Sequence, residues 1–410
     1  MNASVSRVKA ACFVGSVSQA VVLNVSPLLF LTFHSLYGIS YSLLGLLVLI
    51  NFITQLAVDL VFSFCLRGVD LRRLIQATPL VTVAGFLIFA SAPVLFPHAV
   101  YPGLALGTVL FSVAGGFMEV TGSPIVAALP SKDPEREMSK FHSIYAWGVV
   151  GLVLVAAAFL TAFEGEAWPW LILGLTAIPL LSFFLFWGAD VPAITSPDQK
   201  EGVRPYLKNR GFWLCVFAIF CGGAAECTMG QWSSGYLEQA LGIPKLWGDL
   251  FGVALFALML GLGRILYGRV GRNVEKILFF GSLGAAFCYL IAALSPLPIL
   301  GLLACALTGF CTSMLWPGSL IVAADRFPAG GVFLYAMMAA GGDMGASVAP
   351  QVVGLITDAV IARPETQAMA ASLSLTPDQL GMKMGMLIGM IFPIVGAVLF
   401  GLLMKRRKAR

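Results

Sequence analysis

Residues 277–324 read ILFFGSLGAAFCYLIAALSPLPILGLLACALTGFCTSMLWPGSLIVAA and contain no charged side chain. A helix crosses the hydrocarbon core of a bilayer with roughly 20 apolar residues. This run is too long for one crossing and right for two. Ser295-Pro296 and Pro298 break it near its middle, so it predicts a helical hairpin that returns to the side it left. The same spacing of charge recurs along the chain. Residues 10–66 hold no Lys or Arg and one acid, Asp59. Residues 74–131 hold no Lys or Arg and one acid, Glu119, and residues 141–199 again lack Lys and Arg. Residues 211–263 and 327–404 complete the set, interrupted near their middles by Lys245 and by Arg363 and Lys383. Six hairpins predict twelve helices, over 10–33, 42–66, 75–96, 102–129, 141–163, 168–188, 211–237, 247–268, 276–294, 297–324, 331–358 and 382–404.

Composition agrees. The 410 residues are 59 % apolar and 11 % charged, with a mean hydropathy of +0.91. A soluble domain carries about 25 % charge, so this chain cannot clothe a water-facing surface. Soluble enzymes, nucleic-acid binders and disulfide-stapled secreted domains are excluded. Open strands are excluded too, because their edge N–H and C=O groups go unpaired in lipid. The fold class is all-α integral membrane. Of the 25 Lys and Arg residues, 21 fall on one side of the predicted hairpins, the tail from Lys405 to Arg410 among them. The positive-inside rule makes that side cytoplasmic, which places both termini inside a cell (inner, cytoplasmic) membrane. The eight cysteines sit in apolar stretches with no metal or disulfide spacing. Thr376-Pro377 carries an N-cap followed by Pro at the first helical position, which predicts a short surface helix leading into the last span.

Two stretches repeat. Gly122-Ser123-Pro124-Ile125-Val126-Ala127-Ala128 returns as Gly318-Ser319-Leu320-Ile321-Val322-Ala323-Ala324, with six of seven positions identical at an offset of 196. Gly148-x-x-Gly151 returns as Gly342-x-x-Gly345, and Leu36-Tyr37-Gly38-Ile39 is echoed by Ala240-Leu241-Gly242-Ile243. Three matches in order divide the chain into a six-helix bundle over 1–188, a cytoplasmic linker over 189–210 and a second bundle over 211–410. Parallel six-span halves are a transporter architecture whose binding site is expected near the midplane, between the halves.

At these residues the chain resembles the major facilitator superfamily, and within it the fucose:proton symporter-like branch of sugar porters. Gly115-Gly116-Phe117-Met118-Glu119-Val120-Thr121-Gly122-Ser123-Pro124 resembles that branch's fourth-span Glu followed by Asn-Pro, with Ser123 where the Asn stands. Phe141-His142-Ser143-Ile144-Tyr145-Ala146-Trp147-Gly148 resembles its fifth-span start, and Gly222-Gly223-Ala224-Ala225-Glu226 with Trp232 and Tyr236 its seventh span. Arg269-Val270-Gly271-Arg272 resembles the superfamily's basic loop, which Arg67-Gly68-Val69-Asp70-Leu71-Arg72-Arg73 matches only in charge. The branch's first-span Asn-Asp pair is Asn24-Val25 here. The resemblance implies a single-chain secondary active transporter that moves a monosaccharide-like solute with protons, by alternating access of two pseudo-symmetric halves.

Ionisable groups inside spans are costly and mark candidate sites. Glu119 and Asp343 are the candidate proton carriers. Gln19, Asn24, Glu119, Ser123, His142, Tyr145, Glu226, Gln231 and Trp232 are the candidate solute contacts, because amides, carboxylates and an indole face suit a hydroxyl-rimmed ring. Trp232 shares a face with Glu226 only if Gly230 kinks the helix. Asp59 and Arg264 are the candidate gating pair. Other solutes (a drug, a lipid, an amino-acid-like compound) and an uncoupled facilitator remain open at this level. No phosphate-binding Gly-x-x-x-x-Gly-Lys-Ser/Thr occurs, so ATP does not drive this chain directly. The three histidines are isolated and no Tyr-Asp occurs, which speaks against an intramembrane protease. Expected partners are the solute, protons and membrane lipids, with no cofactor, metal or nucleic acid.

Overall fold

The structure is a computed structural model that describes residues 3–65, 71–131, 134–192, 204–270, 273–328 and 331–408. Among the described residues twelve helices are long and apolar enough to cross a membrane. They are α1 (Val5–Leu28), α2 (Tyr41–Val61), α3 (Arg72–Leu95), α4 (Val100–Gly122), α5 (Ser143–Phe163), α6 (Gly165–Phe186), α7 (Arg210–Leu241), α8 (Lys245–Tyr267), α9 (Val274–Leu294), α10 (Pro298–Arg326), α11 (Phe333–Ile361) and α12 (Pro377–Lys405). Among the described residues there is no strand. Helical spans pair most backbone groups internally, as hydrocarbon requires.

The turns follow local chemistry. After α1 and a short helix, Phe30–Tyr37, the chain reverses at Gly38, whose φ of 62° is left-handed and whose N–H donates to the His34 carbonyl. At the end of α7, Gly242 has φ 64° and caps the Glu238 and Leu237 carbonyls. Both are αL caps that a side chain would strain, which explains the Gly-Ile echo in the sequence. Asn209 caps α7 by accepting from the Gly211 N–H. Thr376 and Gln379 form a capping box. That box opens α12 itself, because the residues after Pro377 are already the apolar span. The separate surface helix lies earlier, at Pro364–Ser372. Of the joining stretch 189–210, residues 193–203 lie outside the described residues, as do 66–70 of the first basic loop.

Contacts group the chain into two compact units, Met1–Gly38 with Ile50–Pro197 and Ile39–Leu49 with Asp198–Arg410. In the first, α3 packs on α4 through glycines. A Cβ on Gly107 would stand 2.7 Å from Phe89 Cβ, and one on Gly85 2.6 Å from the Phe111 nitrogen. Phe33, Phe86, Phe89, Phe111 and Trp168 pack edge to face around this seam, the favoured geometry for aromatic quadrupoles. In the second unit α7 lies against α11 and α10. A Cβ on Gly345 would collide with the Phe220 carbonyl, and one on Gly223 would stand 2.5 Å from the Gly342 carbonyl. Small residues let helix backbones touch where lipid offers no hydrophobic drive to associate. The first turn of α2, residues 41 and 42, belongs to this second unit. Its N–H groups donate to the Asp358 carboxylate at 3.1 and 2.7 Å, and the Tyr41 hydroxyl donates to Asp378 at 3.1 Å. Within α8, residues Gly248–Ala254 form a π-helical turn.

Candidate functional site

Glu119 sits on α4 beside the glycines Gly115 and Gly116. Those glycines admit α2 closely, since a Cβ on Gly116 would stand 2.9 Å from Val58 Cβ and one on Gly115 3.3 Å from Gln55 Oε1. Gln19 of α1 donates its amide N–H to Glu119 Oε2 at 3.1 Å. The approach of α2 brings Asp59 within Coulombic range of Glu119. Asp59 Oδ1 is buried with no hydrogen-bond partner among the described residues. Asn24, five residues beyond Gln19, donates to the Ala20 carbonyl at 2.8 Å and to the Tyr145 hydroxyl of α5 at 3.4 Å. Gln19 meets Glu119 and Asn24 meets Tyr145, and all four belong with Asp59 to the first unit. Ser123 and His142 lie on the helices Val100–Ala128 and Pro134–Phe163, with their side chains outside the described residues.

Two buried amides escaped the sequence reading. Asn51 donates to the Val22 carbonyl at 2.8 Å, and Gln55 donates to Asn51 Oδ1 at 2.6 Å. Asn51, Gln55 and Asp59 are four residues apart, so they form one stripe on α2. That spacing in an otherwise apolar span was the available signal.

The second unit holds Glu226 on α7 and Arg264 on α8. Arg264 Nη2 lies 3.5 Å from Glu226 Oε1, and Arg264 Nε donates to the Ser313 carbonyl at 3.1 Å. Of the expected gating pair, Arg264 takes an ion pair with Glu226 inside its own unit, and Asp59 lies within Coulombic range of Glu119 in its own. On α8 the exposed apolar residues Leu258, Leu262, Ile265 and Leu266 share one face, and Arg264 points roughly opposite to it. Asp343 is 5 % exposed on α11, and its charge, with those of Glu226 and Arg264, reaches Cys227.

Trp232 departs from its expected role. It is fully buried, its Nε1 donates to the Pro350 carbonyl at 3.0 Å, and its ring centroid lies 6.3 Å from that of Tyr41. The helix Arg210–Leu241 runs unbroken through Gly230. Without a break there, six residues turn Trp232 away from Glu226. Its indole is committed to packing, and Gln231 is buried beside it.

A sequence profile described as Major Facilitator Superfamily matches residues 11–350. Comparison with curated protein sequences returns no match. Among solved structures, a bacterial homolog of the human lysosomal transporter Spinster has a TM-score of 0.72 at 14 % identity, covering 98 % of this chain and 96 % of that one. A D-xylose-proton symporter gives 0.69 at 13 %, covering 95 % and 96 %. The E. coli fucose:proton symporter gives 0.57 at 14 %, covering 96 % and 98 %. At these identities the likeness is one of fold.

Proposed function

The chain belongs to the Major Facilitator Superfamily and is a secondary transporter, and from that premise we propose that it carries a small, monosaccharide-like polar solute together with protons. The observation that supports coupling is the carboxyl pair of the first unit. Glu119 and Asp59 lie within Coulombic range of each other, and residues 10–66, 74–131 and 141–199 contain no Lys or Arg. Two neighbouring carboxylates repel when both are ionised, and a proton bound by one of them relieves the repulsion. Asp59 of α2 thereby takes the place of the acid that the Asn24-Val25 sequence lacks. Gln19 donates to Glu119, and Asn24 and Tyr145 of the same unit add amide and phenol groups, which suit solute hydroxyls. Transport proceeds by alternating access in the cytoplasmic membrane, with both termini inside.

Glu119→Gln tests this reading. Gln keeps the size and the bond to Gln19 but cannot release a proton. The variant is expected to retain solute counterflow in proteoliposomes, because exchange needs no deprotonation. It is expected to lose uphill accumulation, because the empty carrier must return without its proton. Full gradient-driven accumulation by Glu119→Gln excludes Glu119 as the coupling group.

A further inference from the structure

Arg264 is the only Lys or Arg in the interior of a span of the second unit that pairs with a mid-span acid among the described residues, and it is loosely held. Its contact with Glu226 is a single 3.5 Å approach, whereas a committed Arg–carboxylate pair is a two-bond fork at about 2.7–2.9 Å. A guanidinium carries five N–H donors. The bonds it makes among the described residues engage Nε, to the Ser313 carbonyl, and Nη2, to Glu226. The side chain is 43 % exposed while Glu226 is 15 % exposed. That exposure is not toward lipid. The lipid-type residues Leu258, Leu262, Ile265 and Leu266 occupy the opposite face of α8, and a guanidinium in hydrocarbon costs at least about 2.5 kcal/mol. Much of the fork is therefore exposed away from the apolar face of α8, anchored at its Nε end and open at its tip.

An open, anchored guanidinium with a replaceable internal carboxylate is a receptor for an external carboxylate. We propose that Arg264 recognises an acidic group on the solute, with Glu226 as the internal stand-in that this group displaces. The favoured solute is then a hydroxyl-rich monocarboxylate, of the aldonate or uronate class, and not a neutral sugar. This rests on the reading of the chain as a carrier of sugar-like solutes and narrows it. The Glu226–Arg264 pair keeps the cation from standing uncompensated in the empty protein.

The test uses the full-length protein purified in detergent. Thermal stability is followed against D-gluconate and D-glucuronate, with D-glucose and D-glucitol as neutral counterparts. The acids are expected to stabilise the protein and the neutral compounds to do so at least about tenfold more weakly. Arg264→Gln is expected to abolish the preference. Arg264→Lys, which retains a point charge without the fork, is expected to keep part of it, and guards against misfolding of the Gln variant. Glu226→Gln is expected to bind gluconate more tightly, because the competing carboxylate is gone. Stabilisation by glucose equal to gluconate, undiminished in Arg264→Gln, overturns the acid recognition while leaving the sugar-carrier reading intact. Loss of gluconate binding in Glu226→Gln also overturns it, by making Glu226 a direct contact. No stabilisation by any of the four compounds overturns both.

Discussion

Asn51, Gln55 and Asp59 show how a single side chain is read differently alone and in register. Taken one at a time each is a polar residue in an apolar span. Taken together they are a stripe that ends at the carboxyl within Coulombic range of Glu119. Trp232 teaches the converse. Its residue type suggests a stacking platform, but its burial and its bond to the Pro350 carbonyl make it a packing group. Trp232→Phe is therefore expected to lower stability by about 1 kcal/mol, the net worth of one buried hydrogen bond, and to leave solute affinity unchanged within about twofold. Thermal unfolding and a binding titration of the same preparation check both halves. Glu119, Gln19 and Asn24 were legible because ionisable or amide groups stand out in long apolar runs. The Glu226–Arg264 pair was not, because its partners are 38 residues apart and their meeting depends on helix rotation, which composition does not encode.

Helices carry a distinction that the repeated Gly-x-x-Gly pattern hides. In the first copy only Gly148 is in close contact, where a Cβ would stand 2.9 Å from Ala20 Cβ, and Gly151 has open space around it. In the second copy both Gly342 and Gly345 are needed, against the Trp316 ring and the Phe220 carbonyl. Gly345→Ala is expected to cost about 1–3 kcal/mol through overpacking against backbone. Gly151→Ala is expected to be neutral or to gain up to about 1 kcal/mol, because it relieves the entropic cost of a mid-helix glycine. Denaturation midpoints of the two variants order them. Helix termini were read with similar unevenness. The capping signal at Thr376 was sound, but the element it starts is α12 itself, since the pattern of a cap does not say how far the helix beyond it runs.

Across the whole molecule the hairpin spacing of charge foretold twelve spans, and twelve are observed among the described residues, with ends within seven residues of those expected. That legibility has a simple origin, because bilayer thickness fixes element length and leaves little to tertiary context. The orientation derived from the charges is tested by cysteine labelling in a Cys-free background. Lys208→Cys is expected to be blocked only by a permeant reagent and Glu365→Cys by an impermeant one, and the reverse pattern inverts the topology. What hydropathy does not convey is phase, and the π-helical turn of α8 brings this out. A π turn holds one more residue than the α-helical turn it replaces. The surplus lies between Asp249, held by Ser234 and Lys245, and Arg264. Excising Gly252 lets that turn close as an α-helical one, with the two ends of the span still in phase. Such a chain is expected to insert normally and to keep the properties that depend on Arg264, whereas one residue added to the regular helix after Leu255 turns Arg264 by about 100° and is expected to abolish them, as the gluconate stability shift would record. The π turn of α8 thus works as a clutch, taking up one residue without turning what lies beyond it.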